Sequence, residues 1–182
     1  LEELKFKLDK KAKQVFEARV ELMKNRGKVV IAIPRVLNMY AHTPFFTAYF
    51  EAVGINPGNI VFSEYTSEEM YKEGAKRGSI DPCFPSKIGI PHLHNLIYKV
   101  HKKKKIDYIF LPLVDTIPSD LIYAQQHHAC PTVTATSEAA KAAFTKESDM
   151  FKDNGIEYVN TYLYMTEPKL CAKQMFDEWA PK

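Results

Sequence analysis

The chain has 182 residues, of which 46% are apolar and 26% charged, and a formal net charge of +3. This balance excludes intrinsic disorder and fibrous architecture and leaves a globular chain of about one domain, large enough to bury a core. No apolar run approaches the roughly 20 residues of a bilayer span, and the charged start LEELKFKLDKK holds no apolar signal core; a cytoplasmic location and no membrane partner are expected.

Residues 1–27 are charge-rich, with Leu4, Leu8, Val15 and Leu22 at helical spacing. They read as an N-terminal amphipathic helix that stops at Asn25-Arg26-Gly27. KVVIAIP, 28–34, is a continuous run of branched apolar residues, as in a strand covered on both faces. Thr43 as N-cap and Pro44 at the first helical position then open a helix that Gly54 closes. NIVFSEY, 59–65, is the second strand, and Ser67 caps SEEMYKEGAKRG, acidic in its first turn and basic in its last.

A helix over 94–105 ends in His101-Lys102-Lys103-Lys104-Lys105, where cations suit a helix C-terminus. No aromatic residues interleave that run, so no nucleic-acid partner is expected. IDYIFLPLV reads as the third strand, and a fourth element starts at Pro131-Thr132-Val133-Thr134. The helix SEAAKAAFTKESDMFKDNG, the strand IEYVNTYLYM and the helix PKLCAKQMFDEW follow. Strands that alternate with helices through such long connections pair in parallel. The expected fold is therefore α/β: a three-layer parallel sheet, Rossmann-like or flavodoxin-like, over 28–182, preceded by the helix of 1–27. The chain opens without an initiator methionine and ends in EWAPK, so a fragment of a longer, multi-lobe protein is expected.

No GxGxxG, Walker A loop, GxSxG or HExxH occurs, and the fold class by itself names no cofactor. Chemistry in open parallel sheets gathers at the carboxyl ends of the strands. Pro34-Arg35, Ser63-Glu64, Pro112–Asp115 and the loops of Cys83 and Cys130 fall there on this reading. Three cysteines form no paired disulfide framework. Cys83 lies in Asp81-Pro82-Cys83-Phe84-Pro85 and Cys130 in His127-His128-Ala129-Cys130-Pro131. Prolines stiffen both loops, which suits thiolates facing a metal or cluster; the alternative is a pair of buried thiols acting as small hydrophobes. Cys171, in a helix, reads as structural.

His92, His94, His127 and His128 together with the two cysteines contain enough nitrogen and sulfur for a zinc site. Histidines two apart on a helix point to different faces, which counts against His92 and His94 sharing one metal. A Cys83–histidine nucleophilic pair is a further alternative, although no residue is seen to orient the base. Arg35 suits a phosphate, a carboxylate or a surface ion pair.

Four segments, "IAIPRVLNMYAHTPFFTAYFEAVG", "CFPSKIGIPHLHNLI", "KIDYIFLPLV" and "ACPTVTATSEAAK", occur in this order over most of 28–145. They resemble the domain of unknown function of CoA-enzyme activase proteins, related to the 2-hydroxyacyl-CoA dehydratase family. The resemblance implies Rossmann-like lobes whose cysteines hold an iron–sulfur cluster, expected as 4Fe–4S, and low-potential electron transfer with an ATP-dependent activase and an acyl-CoA as partners. On it, Cys83 and Cys130 match the family's ligand cysteines, and a third ligand is expected from outside this chain. Lys87 and His92 match the lysine and histidine after the first cysteine, and Arg35 the Ile-Pro-Arg turn; these three are the expected cofactor-facing residues. Pro91 stands where the family has glycine. Without a phosphate-binding loop, this chain alone is not expected to hydrolyse ATP.

Overall fold

A computed structural model describes residues 10–78, 83–121, 123 and 127–182. Leu4, Leu8 and the Asp81-Pro82 half of the first cysteine loop lie outside the described residues. Helix α1 spans Lys10–Arg26 and buries none of its residues, in keeping with its charge. It leads into β1 (Ile31–Ile33), which is fully buried. Helix α2 (Met39–Ala52), β2 (Ile60–Phe62) and α3 (Glu68–Gly74) follow. Next come the short α4 (Phe84–Lys87) and one long helix, α5 (Gly89–Asn95), which passes through a π-helical turn (Leu96–Val100) into α6 (His101–Lys103). The rest is β3 (Tyr108–Phe110), β4 (Leu113–Thr116), α7 (Pro131–Thr145), α8 (Met150–Asp153), β5 (Glu157–Val159), β6 (Tyr162–Tyr164) and α9 (Pro168–Trp179).

The main sheet has four parallel strands in the order β2-β1-β3-β5. Chain direction across the sheet reverses between β1 and β3, the doubly wound order, so the fold is Rossmann-like as expected. Alternation along the strands sends side chains to two covered faces. Phe110 meets Phe46 and Phe50 of α2 edge-on at 5.0 and 5.3 Å, and Trp179 of α9 lies 4.9 Å from Phe50. On the opposite face Tyr158 stacks on Phe151 at 4.6 Å and its hydroxyl donates to the Ser137 carbonyl at 3.0 Å, which fixes α7. Ser137 in turn donates to the Leu111 carbonyl at 2.5 Å. Helices on both faces give the three layers.

Several boundaries differ from the sequence reading. The third and last strands each split: β3 and β5 belong to the four-stranded sheet, whereas β4 and β6 leave it and pair in parallel as a separate ribbon. The Leu111 N–H still reaches the Val159 carbonyl at 3.0 Å and the Leu113 N–H the Thr161 carbonyl at 2.9 Å, so the two segments stay side by side, while Pro112 has no N–H to give to a ladder. Helix α2 begins at Met39 rather than at Pro44, because the turn over Val36–Asn38 already places the Met39 N–H on the Val36 carbonyl at 2.9 Å. Thr43 gives its hydroxyl hydrogen to the Met39 carbonyl instead of capping. Pro44 inside the helix leaves the Tyr40 carbonyl without its usual partner, and Tyr40 is exposed to water. The Pro131–Thr134 stretch is the first turn of α7, since Pro131 follows an extended Cys130 and occupies the first helical position. That helix stops at Thr145, and Asp149 restarts the chain as α8 by accepting the Lys152 N–H at 3.2 Å.

One close approach and one unusual backbone angle stand out. A Cβ on Gly74 would lie 2.3 Å from Cα of Pro91, so glycine is what lets α3 touch α5. Leu37, in the β1–α2 turn, holds φ at 48°, a conformation that L-residues other than Asn, Asp and His seldom adopt.

Candidate functional site

Cys83 and Cys130 occupy equivalent places. Each is the extended residue immediately before a helix, Cys83 before α4 and Cys130 before α7, with a proline in the first turn of each. The two helices pack against one another. Cys130 is anchored beside the ribbon: Thr116 and His128 form an antiparallel bridge, and the Ala129 N–H donates to the Asp115 carbonyl at 2.6 Å. Asp115 also takes His128 Nδ1 at 2.9 Å. Cys130 is exposed and Cys83 half-buried, and neither is in a disulfide.

The backbone N–H groups of Thr132 and Val133, with a smaller contribution from the Thr132 hydroxyl, pull the Cys130 thiol below the ordinary range. Neither N–H closes a hydrogen bond of normal geometry on Sγ, so the effect is that of the open amide dipoles at a helix start, which favour a thiolate. Burial pushes the third thiol, Cys171 in α9, the other way. It packs in the core, as expected for a structural cysteine.

Arg35 and His92 meet at a corner between β1, β2 and α5. His92 is fully buried; Nδ1 lies 2.7 Å from Ser63 Oγ and Nε2 2.9 Å from Thr66 Oγ1. Ser63 Oγ accepts the Arg35 backbone N–H at 2.8 Å. The arrangement that gives the Ser63 hydrogen an acceptor places it on Nδ1, with the ring hydrogen on Nε2 donating to Thr66. Burial first and the Arg35 charge second push the imidazole down to about 4. The Arg35 side chain donates from Nη1 to the Ser63 carbonyl. Its guanidinium sits between the rings of Phe62 at 4.8 Å and Tyr65 at 4.5 Å. One turn along α5, Asn95 grips the next residue of the β2 loop from both sides. It accepts the Glu64 N–H at 3.0 Å and donates to the Glu64 carboxylate at 3.1 Å. A hydrogen bond from Lys99, 2.7 Å away, holds that carboxylate below its usual range.

The structure therefore splits the expected cofactor-facing residues into two groups. Arg35 and His92 share one hydrogen-bond network through Ser63. Lys87 instead ends the short helix that Cys83 begins, with its N–H on the Cys83 carbonyl at 2.9 Å. His92 and His94 diverge, His94 stacking on Tyr98 at 4.5 Å. Among the described residues no group of three or more His, Cys, Asp or Glu side chains converges as a metal site would require. Sequence reasoning overlooked Thr66 and Asn95, and it left Asp115 and His128 in separate segments. The spacing of His92 and Asn95, one turn apart on a helix, was the available signal for the first pair. The bridge that joins Asp115 to His128 spans a long loop and leaves no local trace.

The CoA enzyme activase uncharacterised domain (DUF2229) matches residues 30–181. The chain belongs to that family. Helix α1 lies ahead of the matched region, and the β1–β5 sheet, both cysteine loops and α9 lie within it. Comparisons with curated proteins and with solved structures each found no match. Among the described residues no helix is long and apolar enough to cross a membrane.

The thiols also fit the chemistry of an iron–sulfur cluster in kind. They are soft donors ahead of helices that pack together, and one is biased towards thiolate. In number they supply only part of a ligand set, and the remaining ligands would come from beyond the described residues.

Proposed function

We propose that this CoA enzyme activase domain is a redox lobe whose Cys83 and Cys130 would hold part of an iron–sulfur cluster, expected as 4Fe–4S, at the carboxyl edge of the sheet. The observation that carries the reading is the matched placement of the two cysteines before packed helices, with the exposed Cys130 thiol drawn towards thiolate by the Thr132 and Val133 amides. Such a cluster, when bound, supplies one-electron transfer at a potential set by its thiolates, its burial and hydrogen bonds to sulfur.

The chain's own residues then have separable tasks. Pro85 and Pro131 stiffen the two loops; the α7 amides offset negative charge next to Cys130. Lys87, in the turn after Cys83, is a cation close in sequence to that thiol. The Arg35–Ser63–His92 corner fixes the β1 and β2 loops, and the neutral imidazole adds no charge there. The partners proposed with this role are an ATP-dependent activase lobe or subunit and an acyl-CoA, a reading that the family's description supports.

A second reading is a cluster-free module that docks an activase or acyl-CoA. It is favoured by large aromatic side chains left bare near this edge, Tyr65 at 73% and Phe84 at 57% exposure. Anaerobic reconstitution with iron and sulfide, followed by assay of bound iron, sulfide and zinc, separates the two. The redox lobe predicts iron and sulfide in the wild type and their loss in both Cys83→Ser and Cys130→Ser, with Cys171→Ser unaffected. A colourless wild type that retains neither would favour the docking module, and zinc without sulfide would redirect attention to a mononuclear site.

A further inference from the structure

Away from the cysteines, a polar cavity of about 510 Å³ opens between the C-terminal half of α7, the Ala75–Arg77 turn that follows α3, and α5. Arg77 is its centre. The guanidinium does not pair with Glu73, one helical turn earlier, although both line the cavity, and among the described residues no carboxylate lies within ion-pair distance of it. Instead it donates to the Tyr98 hydroxyl at 2.5 Å and packs against Met150 Sδ. It lies over the rings of Tyr98 at 4.9 Å and Phe144 at 5.6 Å.

These neighbours hold the planar cation in one orientation and neutralise none of its charge. Such a guanidinium, with donors to spare, is preorganised for a carboxylate or phosphate. Lys76, Lys146 and Glu147 line the same cavity. Lys76 and Arg77 both lie in the turn after α3 and Lys146 follows the last residue of α7, positions that suit cations. Arg77 differs from the two lysines in lying over two aromatic rings.

A second hollow of about 610 Å³ shares Arg77, Ala143 and Lys146 with the first and continues over Ile90, Ala139 and Ala142. Alanines on the α7 face leave room there, so a charged end and an apolar trough adjoin. We propose that this groove binds a small molecule that carries an oxyanion, seated on Arg77, and an apolar arm, lying along α7. Among the described residues neither Cys83 nor Cys130 nor a residue of α4 lines the groove, so the proposal does not depend on a cluster.

The test titrates the cluster-free protein with phenyl phosphate, benzoate and inorganic phosphate by calorimetry, and follows the His94 ring signals by NMR, since His94 lines the same cavity. Saturable binding of phenyl phosphate or benzoate is expected, severalfold tighter than inorganic phosphate because only the first two carry an arm. Whichever of the two binds more tightly identifies the anion as phosphate ester or carboxylate. Arg77→Met should weaken binding at least tenfold, and Cys83→Ser and the distant Lys24→Ala should leave it within twofold. Should Arg77→Met fail to fold, Lys146→Glu on the exposed rim should weaken binding severalfold. Absence of saturation with all three probes, or wild-type affinity in the available rim or Arg77 variant, overturns the proposal and leaves Arg77 as a latch between Met150 and Tyr98. Because Cys83→Ser is carried through the same titration, failure here and failure of the cluster reading are read out separately.

Discussion

The corner at His92 and the loop at Cys130 lie at the same edge of one sheet and are built in opposite ways. At His92 both ring nitrogens, the Ser63 hydroxyl and the Arg35 N–H are all matched to partners inside the protein. At Cys130 the thiol is exposed, and the amides beneath it draw charge towards it without closing a bond. A satisfied buried network specifies one local structure; an open donor array beside an exposed thiol leaves that thiol accessible from solvent. The two could not exchange roles, since the neutral, enclosed imidazole has no free lone pair and the bare thiol contributes little packing.

The strongest way to break this contrast is to damage the closed corner. His92→Ala removes a buried ring and strands the Ser63 and Thr66 hydroxyls, and we expect it to lower unfolding free energy by about 3 kcal/mol in urea titrations. Acid should act on the same group. The folded imidazole titrates at about 4 against an unfolded value of 6.5. Between those pH values the unfolded chain binds more protons than the native one. The stabilisation is thus complete above about pH 6.5 and is lost as pH falls towards 4, by about 3 kcal/mol over that window. His92→Gln should flatten the slope, and a slope unchanged in that variant would place the titration elsewhere.

Next in size is the open site. At pH 7 iodoacetamide should label Cys130 at least about tenfold faster than Cys171, because one thiol is exposed and shifted down and the other is buried and shifted up. Mass spectrometry of tryptic peptides reads the two sites in one sample, and equal rates would remove the distinction. The smallest effect belongs to the rim. Lys99→Ala breaks the 2.7 Å pair with Glu64, yet both groups are solvated and Asn95 still grips Glu64. Denaturant midpoints should barely move, because exposed ion pairs contribute little.

The sheet was legible because β1 is covered on both faces and its sequence is unbroken by polar residues, and Ser67 was legible because an N-cap is a local device: its hydroxyl accepts the Met70 N–H at 3.1 Å. The division of IDYIFLPLV was not, since apolar periodicity is the same whether a strand stays in its sheet or leaves it to pair with β6. Thr43-Pro44 carried the standard helix-start signal and lost to the Val36–Asn38 turn, which started the helix earlier and left the proline inside. At the site, the cysteines and Arg35 announced themselves through residue type and strand-end position. What each touches depends on which helix passes over it, and that is a matter of tertiary packing.

The chain has a single tryptophan, and its setting determines what light can report about this protein. Trp179 packs edge-on against Phe50, Tyr108 and Phe110, on the α2–α9 face, with its indole N–H buried and without an acceptor among the described residues. Near-ultraviolet dichroism and intrinsic emission therefore record whether α9 is docked. They should be almost indifferent to chemistry at Cys130, for which visible absorption is the channel to watch.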